Sequence, residues 1–412
     1  MSASSLTIRP VDATFLLGRR TSIPPRCRQG VAMRIAYLNF GSQSGVTPNI
    51  TTTLAALGHD LISVDPTDVL ALRDPETRLP RPTPSVALAL AASAIRHGRN
   101  LFQYRWNTAY AFDQHSRRAG ELLRSIVPQP DVVLQNGALF APGAPPRHRY
   151  VLLLDNTSLL AQRQATVPHL HAQAKPRFGA DWLQRERDTY VHAAAIATFS
   201  EVARRSLIDD YGVNPRKIVV VGAGANIVPT TDPVRHDDGR TLLFVGKEWE
   251  RKGGPVLLRA FENLRRCRPD LRLILAGPPS ALVVPAGVTN YGVVPLHTVQ
   301  RLLSEATVFV LPTCQEPFGI AFLDAMLCKV PCVGTHVGAV PEIVGDTAIC
   351  VPPGDSTALA RAIERLLDSP ALRLALGEAG RIRVLAKGYL WPEVGKRLSP
   401  LLGQAAFQHL AA

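Results

Sequence analysis

Long apolar runs are missing from this chain of 412 residues. The longest candidate, residues 86–95, is rich in alanine and ends at Arg96. It falls well short of the ~18 residues that a membrane-spanning helix needs. We therefore expect a soluble protein.

Cysteine is also scarce, and no Cys-x-x-Cys pair occurs among the six cysteines. Cys328 and Cys332 stand four positions apart, but no neighbouring cluster of histidine or cysteine completes a zinc site. No Asp-x-Asp metal motif appears in a suitable context either. We expect free thiols in a reducing cytoplasm and no bound metal.

Residues 1–32 lack both hydrophobic periodicity and the apolar core of a secretory signal. Met33 stands immediately before the first convincing strand. A disordered leader, or a start codon placed too early, is the expected interpretation.

Length and charge limit the remaining possibilities. A chain of 412 residues is too long for one core, so two domains are expected. Lysine and arginine exceed the acids by 46 − 33 = 13. This excess favours an anionic partner such as a nucleotide phosphate or an acidic lipid surface. No recognised nucleic-acid motif accompanies it.

The first half alternates strands with helices and predicts a Rossmann-like domain over 33–228. Its first strand, 34–40, runs into a loop that contains Gly41 and Gly45. This loop is not the dinucleotide fingerprint. A strand at 150–154 ends at Asp155 and Asn156, at a carboxyl edge of the sheet. The polar stretch 229–240 predicts a linker.

A long insert, 66–125, interrupts this first domain. It carries arginines interleaved with Phe102, Tyr104 and Trp106. Such a segment would suit an anionic membrane surface or a charged acceptor. A solvated surface helix is the commoner explanation of the same pattern.

A second α/β series is predicted over 241–390, and its first loop is basic. Gly246 ends the strand, Lys247 follows at once, and Lys252 comes five residues later. Two cations at one strand edge would offset the charge that develops on a leaving diphosphate. Neighbouring Arg251 is expected to be solvated.

A strand–loop–helix unit near residue 316 organises this second domain. The buried strand 307–311 leads into Glu316-Pro-Phe-Gly, and a helix begins at Ile320. The N-terminus of such a helix attracts an anion such as a diphosphate. Two carboxylates, Glu316 and Asp324, flank this loop and could bind a sugar hydroxyl and a ribose diol. Taken alone, they could equally be an acid at the helix entry and a solvated residue.

The spacing of these two acids resembles the Glu-x7-Glu signature of family 4 glycosyltransferases, which are retaining enzymes of the GT-B fold. Asp324 stands where that family usually has Glu, and Lys247 where it usually has Arg. The resemblance covers roughly residues 33–400. It implies two Rossmann-like domains that face each other across a cleft, with the C-terminal segment 391–412 as a helix that crosses back to the first domain.

The resemblance also implies roles for individual residues. The chain would transfer a sugar, with retention, from a UDP- or GDP-linked donor to an unidentified glycan, lipid or small-molecule acceptor. It would need neither a metal nor a cofactor. Lys247 and Lys252 would stabilise the leaving diphosphate, and Glu316 would orient the sugar. The remaining donor-binding residues would be Gly41, Gly45, Gly246, Val293, Phe318, Gly319, Ile320 and Asp324. Asp155 and Asn156 would face the acceptor.

Three alternatives stay open. The chain could be a nucleotide-sugar epimerase or a sugar-phosphate synthase of the same fold. It could also be a GT-B binding protein with impaired catalysis. A cytoplasmic protein is expected, either free or in peripheral contact with the inner face of the membrane.

Overall fold

The computed structural model describes residues 32–41, 44–73, 77, 79–102, 104–143, 148–164 and 178–407. The predicted leader, apart from residue 32, lies outside these residues. Among the helices described, none is both long and apolar enough to cross a membrane.

The first domain is built on a six-stranded parallel sheet with the order β2-β1-β3-β4-β5-β6. Its central strands are apolar on both faces, and β4 is buried at each of its five positions, as expected for a parallel sheet covered by helices. The strands are β1 (Arg34–Leu38), β2 (Asp60–Val64), β3 (Val132–Asn136), β4 (Tyr150–Leu154), β5 (Ala195–Thr198) and β6 (Ile218–Val220).

The second domain contains another six-stranded parallel sheet, with the order β12-β11-β10-β7-β8-β9. Two parallel sheets with intervening helices confirm the predicted pair of Rossmann-like domains. The strands are β7 (Thr241–Val245), β8 (Arg272–Ala276), β9 (Val288–Asn290), β10 (Val308–Val310), β11 (Cys332–Thr335) and β12 (Ile349–Val351).

Thirteen α-helices occur among the described residues, and most of them cover the two sheets. The predicted insert forms α2 and α3 together with short 3₁₀ turns. The helices are α1 (Val46–Ala56), α2 (Pro84–His97), α3 (Ala109–Ser125), α4 (Ser158–Gln164), α5 (Ala180–His192), α6 (Glu201–Asp209), α7 (Gly254–Arg265), α8 (Leu296–Glu305), α9 (Ile320–Leu327), α10 (Val340–Val344), α11 (Ser356–Asp368), α12 (Pro370–Lys387) and α13 (Trp391–Phe407).

Helix α13 lies against the first domain although it follows the second in sequence. It contacts α1 and strands β3, β4 and β5. At Gly395 a Cβ atom would lie 2.2 Å from Cγ2 of Thr53 in α1, so glycine permits this close helix contact. His59 and Ser399 add a hydrogen bond of 2.8 Å between Nε2 and Oγ. The chain thus crosses between the domains twice, through residues 221–240 and again before α13.

Both sheets contain a point at which the strand order reverses. In the first sheet β1 lies between β2 and β3, and in the second β7 lies between β8 and β10. Loops that leave such strands diverge and open a crevice at the carboxyl edge, where ligands of α/β proteins bind. The loops after β7 and β10 are those that carry Lys252 and Glu316.

Candidate functional site

Lys252 and Glu316 form a buried ion pair at the switch point of the second sheet. The ammonium of Lys252 donates to Oε2 of Glu316, and the two side chains are only 14% and 5% exposed. Burial lowers the pKa of Lys252, and the negative charge of Glu316 opposes that shift. A desolvated cation therefore lies directly beside the acid that was predicted to meet the sugar.

Gly253 brings the two loops into contact. Its φ of 78° lies in the left-handed region, and a Cβ atom there would lie 1.9 Å from the carbonyl oxygen of Pro312. Any other residue would be strained and would push the loop after β7 away from the end of β10. The lysine that precedes Gly253 is thereby held against the Glu316 loop.

Arg251 joins this cluster, so the expectation that it is solvated was wrong. Its guanidinium donates to both carboxylate oxygens of Glu248, at 2.5 and 3.0 Å, and to the carbonyl of Gln315 at 2.7 Å. Burial would lower the pKa of Arg251, but the Glu248 hydrogen bonds and the charge of Glu316 keep that pKa above its usual value. Arg251 is therefore a structural cation that connects the two loops of the site.

Helix α9 begins directly after the acid loop. Gly319, with φ 112°, is its N-cap residue, and no side chain caps the first turn. Phe318 is buried and packs edge-on against Phe199 of the first domain, with ring centroids 5.7 Å apart. Ile320 is buried as well. Both predicted donor-binding side chains are apolar and packed within the protein, so the backbone N–H groups of this turn are the atoms that suit an anion.

Asp324 accepts hydrogen bonds from the connection between the domains. Its Oδ1 accepts hydrogen bonds from the backbone N–H groups of Asn226 and Ile227, at 2.7 and 2.9 Å. The side chain is 7% exposed, and burial raises the pKa of Asp324 to about 7 despite these two hydrogen bonds. The shorter side chain at this position therefore reaches the polypeptide backbone with one of its two oxygens.

Asn226 connects Asp324 to the glycine loop of the first domain. Its Nδ2 donates to the carbonyl of Ser44 at 2.8 Å, and its Oδ1 accepts from Nδ2 of Asn49 at 3.0 Å and from Nε1 of Trp391 at 3.2 Å. A Cβ atom on Gly45 would lie 2.7 Å from this same oxygen. No motif in the sequence singled out Asn226, because its importance comes from contacts distant in sequence.

The other predicted donor residues lie in more open surroundings. Lys247 is exposed and forms no hydrogen bond or ion pair within the described part of the chain. Val293 is exposed too. Gly41 has φ 88° and free space around its Cα, whereas Gly246 is close to the side chain of Lys252. Of this group, only Gly246 is thus placed beside the Lys252–Glu316 pair.

Asp155 and Asn156 follow β4 of the first domain. Burial raises the pKa of the Asp155 carboxyl, the charge of Glu316 raises it further, and Arg251 opposes the shift. The charges of Glu316 and Arg251 in the second domain therefore both act on Asp155 at the end of β4. Asn156 instead accepts from the backbone N–H of Thr157 at 3.0 Å and stabilises its own turn.

Two glutamines that sequence reasoning missed complete the contact between the domains. Nε2 of Gln315 donates to the carbonyl of Ala161 in α4 at 3.3 Å. Gln164, at the end of α4, is buried, and within the described ranges neither of its amide atoms has a hydrogen-bond partner. A Cβ atom on Gly338 would lie 3.0 Å from its Nε2 and 1.9 Å from the Glu316 carbonyl. Helix α4 therefore approaches the site from the opposite domain.

No group of three or more metal-ligating side chains occurs within the described ranges. The polar groups that converge here are a lysine, an arginine, carboxylates and amides. Such a set is chemically suited to phosphate oxygens and sugar hydroxyls.

Comparison with known proteins gives matches over the second domain and over the whole fold. Residues 239–369 match the family described as Glycosyl transferases group 1. The D-inositol 3-phosphate glycosyltransferase of Corynebacterium diphtheriae is 28% identical over 237 residues, which cover 50% of this chain and 55% of that protein. The chain thus aligns with about half the length of the curated relatives it matches.

Solved structures share the architecture over nearly the whole chain. Sucrose-phosphate synthase from Thermosynechococcus elongatus has a TM-score of 0.66 at 21% identity, covering 92% of this chain and 99% of that one. Anabaena Alr3699/HepE, in complex with UDP and glucose, has a TM-score of 0.56 at 14% identity, covering 92% and 100%. These likenesses confirm the GT-B fold.

Proposed function

We propose that this GT-B protein, whose second domain matches glycosyl transferases group 1, moves a sugar from a nucleotide-sugar donor to an acceptor held by its first domain. The observation that carries the proposal is the buried Lys252–Glu316 ion pair at the switch point of the second sheet. It lies beside the uncapped N-terminus of α9, which attracts an anion.

Lys252 and Lys247 stabilise the leaving nucleoside diphosphate. A lysine ammonium has three N–H donors, so Lys252 can hold Glu316 and still donate to diphosphate oxygens. Lys247 is exposed at the start of the same loop and adds a second positive charge. Preorganised cations at a point where charge develops stabilise a transition state more than the ground state. This accounts for departure of a nucleoside diphosphate without a metal ion.

The carboxylates position the donor. Glu316 orients the sugar through its hydroxyls, since Lys252 keeps this carboxylate in place. Asp324 uses Oδ1 for the Asn226 and Ile227 N–H groups, so its other oxygen is left for the ribose. The donor is UDP- or GDP-linked, and the transfer proceeds with retention.

The acceptor hydroxyl enters from the first domain. Asp155 follows β4, where burial and then the charge of Glu316 raise the pKa of its carboxyl, and such a pKa suits a group that exchanges a proton with a hydroxyl. Asn156 supports the same loop. The acceptor is a glycan, a lipid or a small molecule.

Peripheral membrane contact at the cytoplasmic face is part of the proposal. Helix α2 presents exposed Leu88 and Ile95, with Phe102 exposed beyond its end. The helix contains no acid and is followed by Arg99. An apolar face beside cations suits an anionic lipid surface. Co-sedimentation with vesicles of phosphatidylglycerol, and not with phosphatidylcholine vesicles, is the expected result.

One experiment separates transfer from its alternatives. The protein is incubated with a panel of nucleotide-sugars, and both nucleoside diphosphate release and the fate of the sugar are followed. A glycosyltransferase releases the nucleoside diphosphate through transfer or slow hydrolysis. In a sugar-phosphate synthase, added sugar phosphate accelerates this release. An epimerase interconverts the sugars without net loss of the donor. Binding of the diphosphate without any turnover would leave the impaired binding protein as the explanation.

A further inference from the structure

A buried polar cluster in the first domain lies above the carboxyl edge of its sheet. His115 of α3 lies between Trp106 and Phe140, with ring centroids 5.6 and 6.3 Å away. Phe140 follows β3, so the cluster is on the side of the sheet where the loops lead toward the second domain. Burial raises the pKa of the adjacent Tyr104, and the charge of Glu248 in the second domain adds to that shift.

Three side chains of this cluster carry polar atoms that have no hydrogen-bond partner among the residues that the structure describes. His115 is 1% exposed, and neither of its ring nitrogens has a hydrogen bond. Nε1 of Trp106 and Nε of Arg105 are also buried and unpaired. The guanidinium of Arg105 lies 4.8 Å from the centre of the Trp106 ring. Buried polar groups are nearly always paired, so this concentration requires an explanation.

The unpaired atoms have a common chemistry. The indole and guanidinium groups can only donate hydrogen bonds, and the neutral imidazole of His115 presents one N–H donor and one acceptor nitrogen. The nearest carboxylate that acts on His115 is Asp68, and Arg118 already holds both of its oxygens at 2.8 to 3.2 Å. The missing partner is therefore a group rich in acceptors, and the charge of Arg105 favours an anion.

We propose that Arg105, Trp106 and His115 form a binding site for an anionic group, a phosphate or a carboxylate, on the acceptor substrate. This proposal rests on the proposed glycosyl transfer and names the acceptor class as anionic. Arg105 and Trp106 are partly exposed whereas His115 is buried, so an anion would reach this site from the side of Arg105 and Trp106. The site is distinct from the diphosphate position at Lys252, which lies in the other domain.

Titration of the full chain with inorganic phosphate, and separately with acetate, tests this site. The Trp106 indole and His115 ring signals in ¹⁵N NMR are assigned by their loss in Trp106→Phe and His115→Phe. Saturable shifts of both signals are expected. If only phosphate produces them, the site binds a phosphate group, and if only acetate does, it binds a carboxylate. Since burial lowers the pKa of His115 to about 4 in the free protein, a bound anion should raise it measurably.

Variants supply the controls. Arg105→Met keeps a long apolar chain over Trp106 and should weaken anion binding at least tenfold, whereas His297→Phe replaces an exposed histidine and should change nothing. Arg105→Met should bind UDP with the same affinity as the parent does, and the same holds for GDP. If neither signal shifts, or if Arg105→Met binds the anion as the parent does, the cluster holds a buried water only and the proposal fails. If no nucleotide binds while the anion shifts persist, the proposed function fails and the anion site stands.

Discussion

The Asp324→Asn substitution should stabilise the protein in a way that depends on pH. Burial raises the pKa of Asp324 from 3.8 to about 7 in the folded protein. The unfolded chain therefore loses this proton near pH 4, while the folded chain retains it until about pH 7. Ionisation of Asp324 favours the unfolded state progressively across that window, so the contribution of this one group to stability is greatest below pH 4 and is lost as the pH rises through about 7.

The size of the effect follows from the difference between the two pKa values. About three pKa units at 1.36 kcal/mol per unit give about 4 kcal/mol as an upper limit. Asparagine keeps an oxygen that can accept from the N–H groups of Asn226 and Ile227, and it has no charge to bury. Asp324→Asn should therefore match the parent near pH 4 and exceed it increasingly up to pH 8.

Thermal unfolding measured by calorimetry from pH 4 to pH 8 is the assay. A gain of 1 kcal/mol corresponds to about 2–4 °C for domains of this size. Asp346→Asn, which removes an exposed acid, is the matched control for charge and should stay close to the parent. The difference in unfolding free energy between Asp324→Asn and the parent could instead be the same at every pH. The Asp324 carboxylate would then not be buried against the backbone of Asn226 and Ile227, and the reasoning would be wrong.

Four other substitutions test the site and the domain contact. Lys252→Ala should reduce turnover by roughly two orders of magnitude, because a preorganised charge is lost. Glu316→Gln should leave calorimetric affinity for the free nucleoside diphosphate nearly intact while turnover falls; an equal loss of both would contradict separate roles. Arg251→Met should lower both turnover and melting temperature, since the Gln315 loop loses its anchor. Glu342→Gln should weaken the domain contact by about 1–2 kcal/mol in denaturant melts, because its oxygens accept from the Glu201 N–H at 2.9 Å.

The architecture could be predicted because it depends on local patterns. Buried strands of five or so apolar residues, each followed by a loop and a helix, predict parallel sheets wherever they recur. The ion pair could be anticipated in the same way. Lys252 and Glu316 each follow a strand, and strands with parallel neighbours bring their loops to one edge.

Contacts between distant segments could not be predicted from such patterns. Arg251 was interpreted as a solvated residue because the loop around it is charged, and only the fold shows that the Gln315 carbonyl is within its reach. That Oδ1 of Asp324 accepts from the backbone of residues 226–227 could not be foreseen, because it depends on the path of a distant segment. His115 lies in an insert whose pattern indicated only a basic surface.

The most direct test of the account is nucleoside diphosphate release from a panel of UDP- and GDP-sugars by the full chain, alongside Lys252→Ala. The account predicts that at least one donor is consumed, faster in the presence of an acceptor, and that Lys252→Ala loses roughly 99% of that rate. Equal rates in the two proteins, or no binding and no consumption of any donor, would contradict a donor site at the Lys252–Glu316 pair.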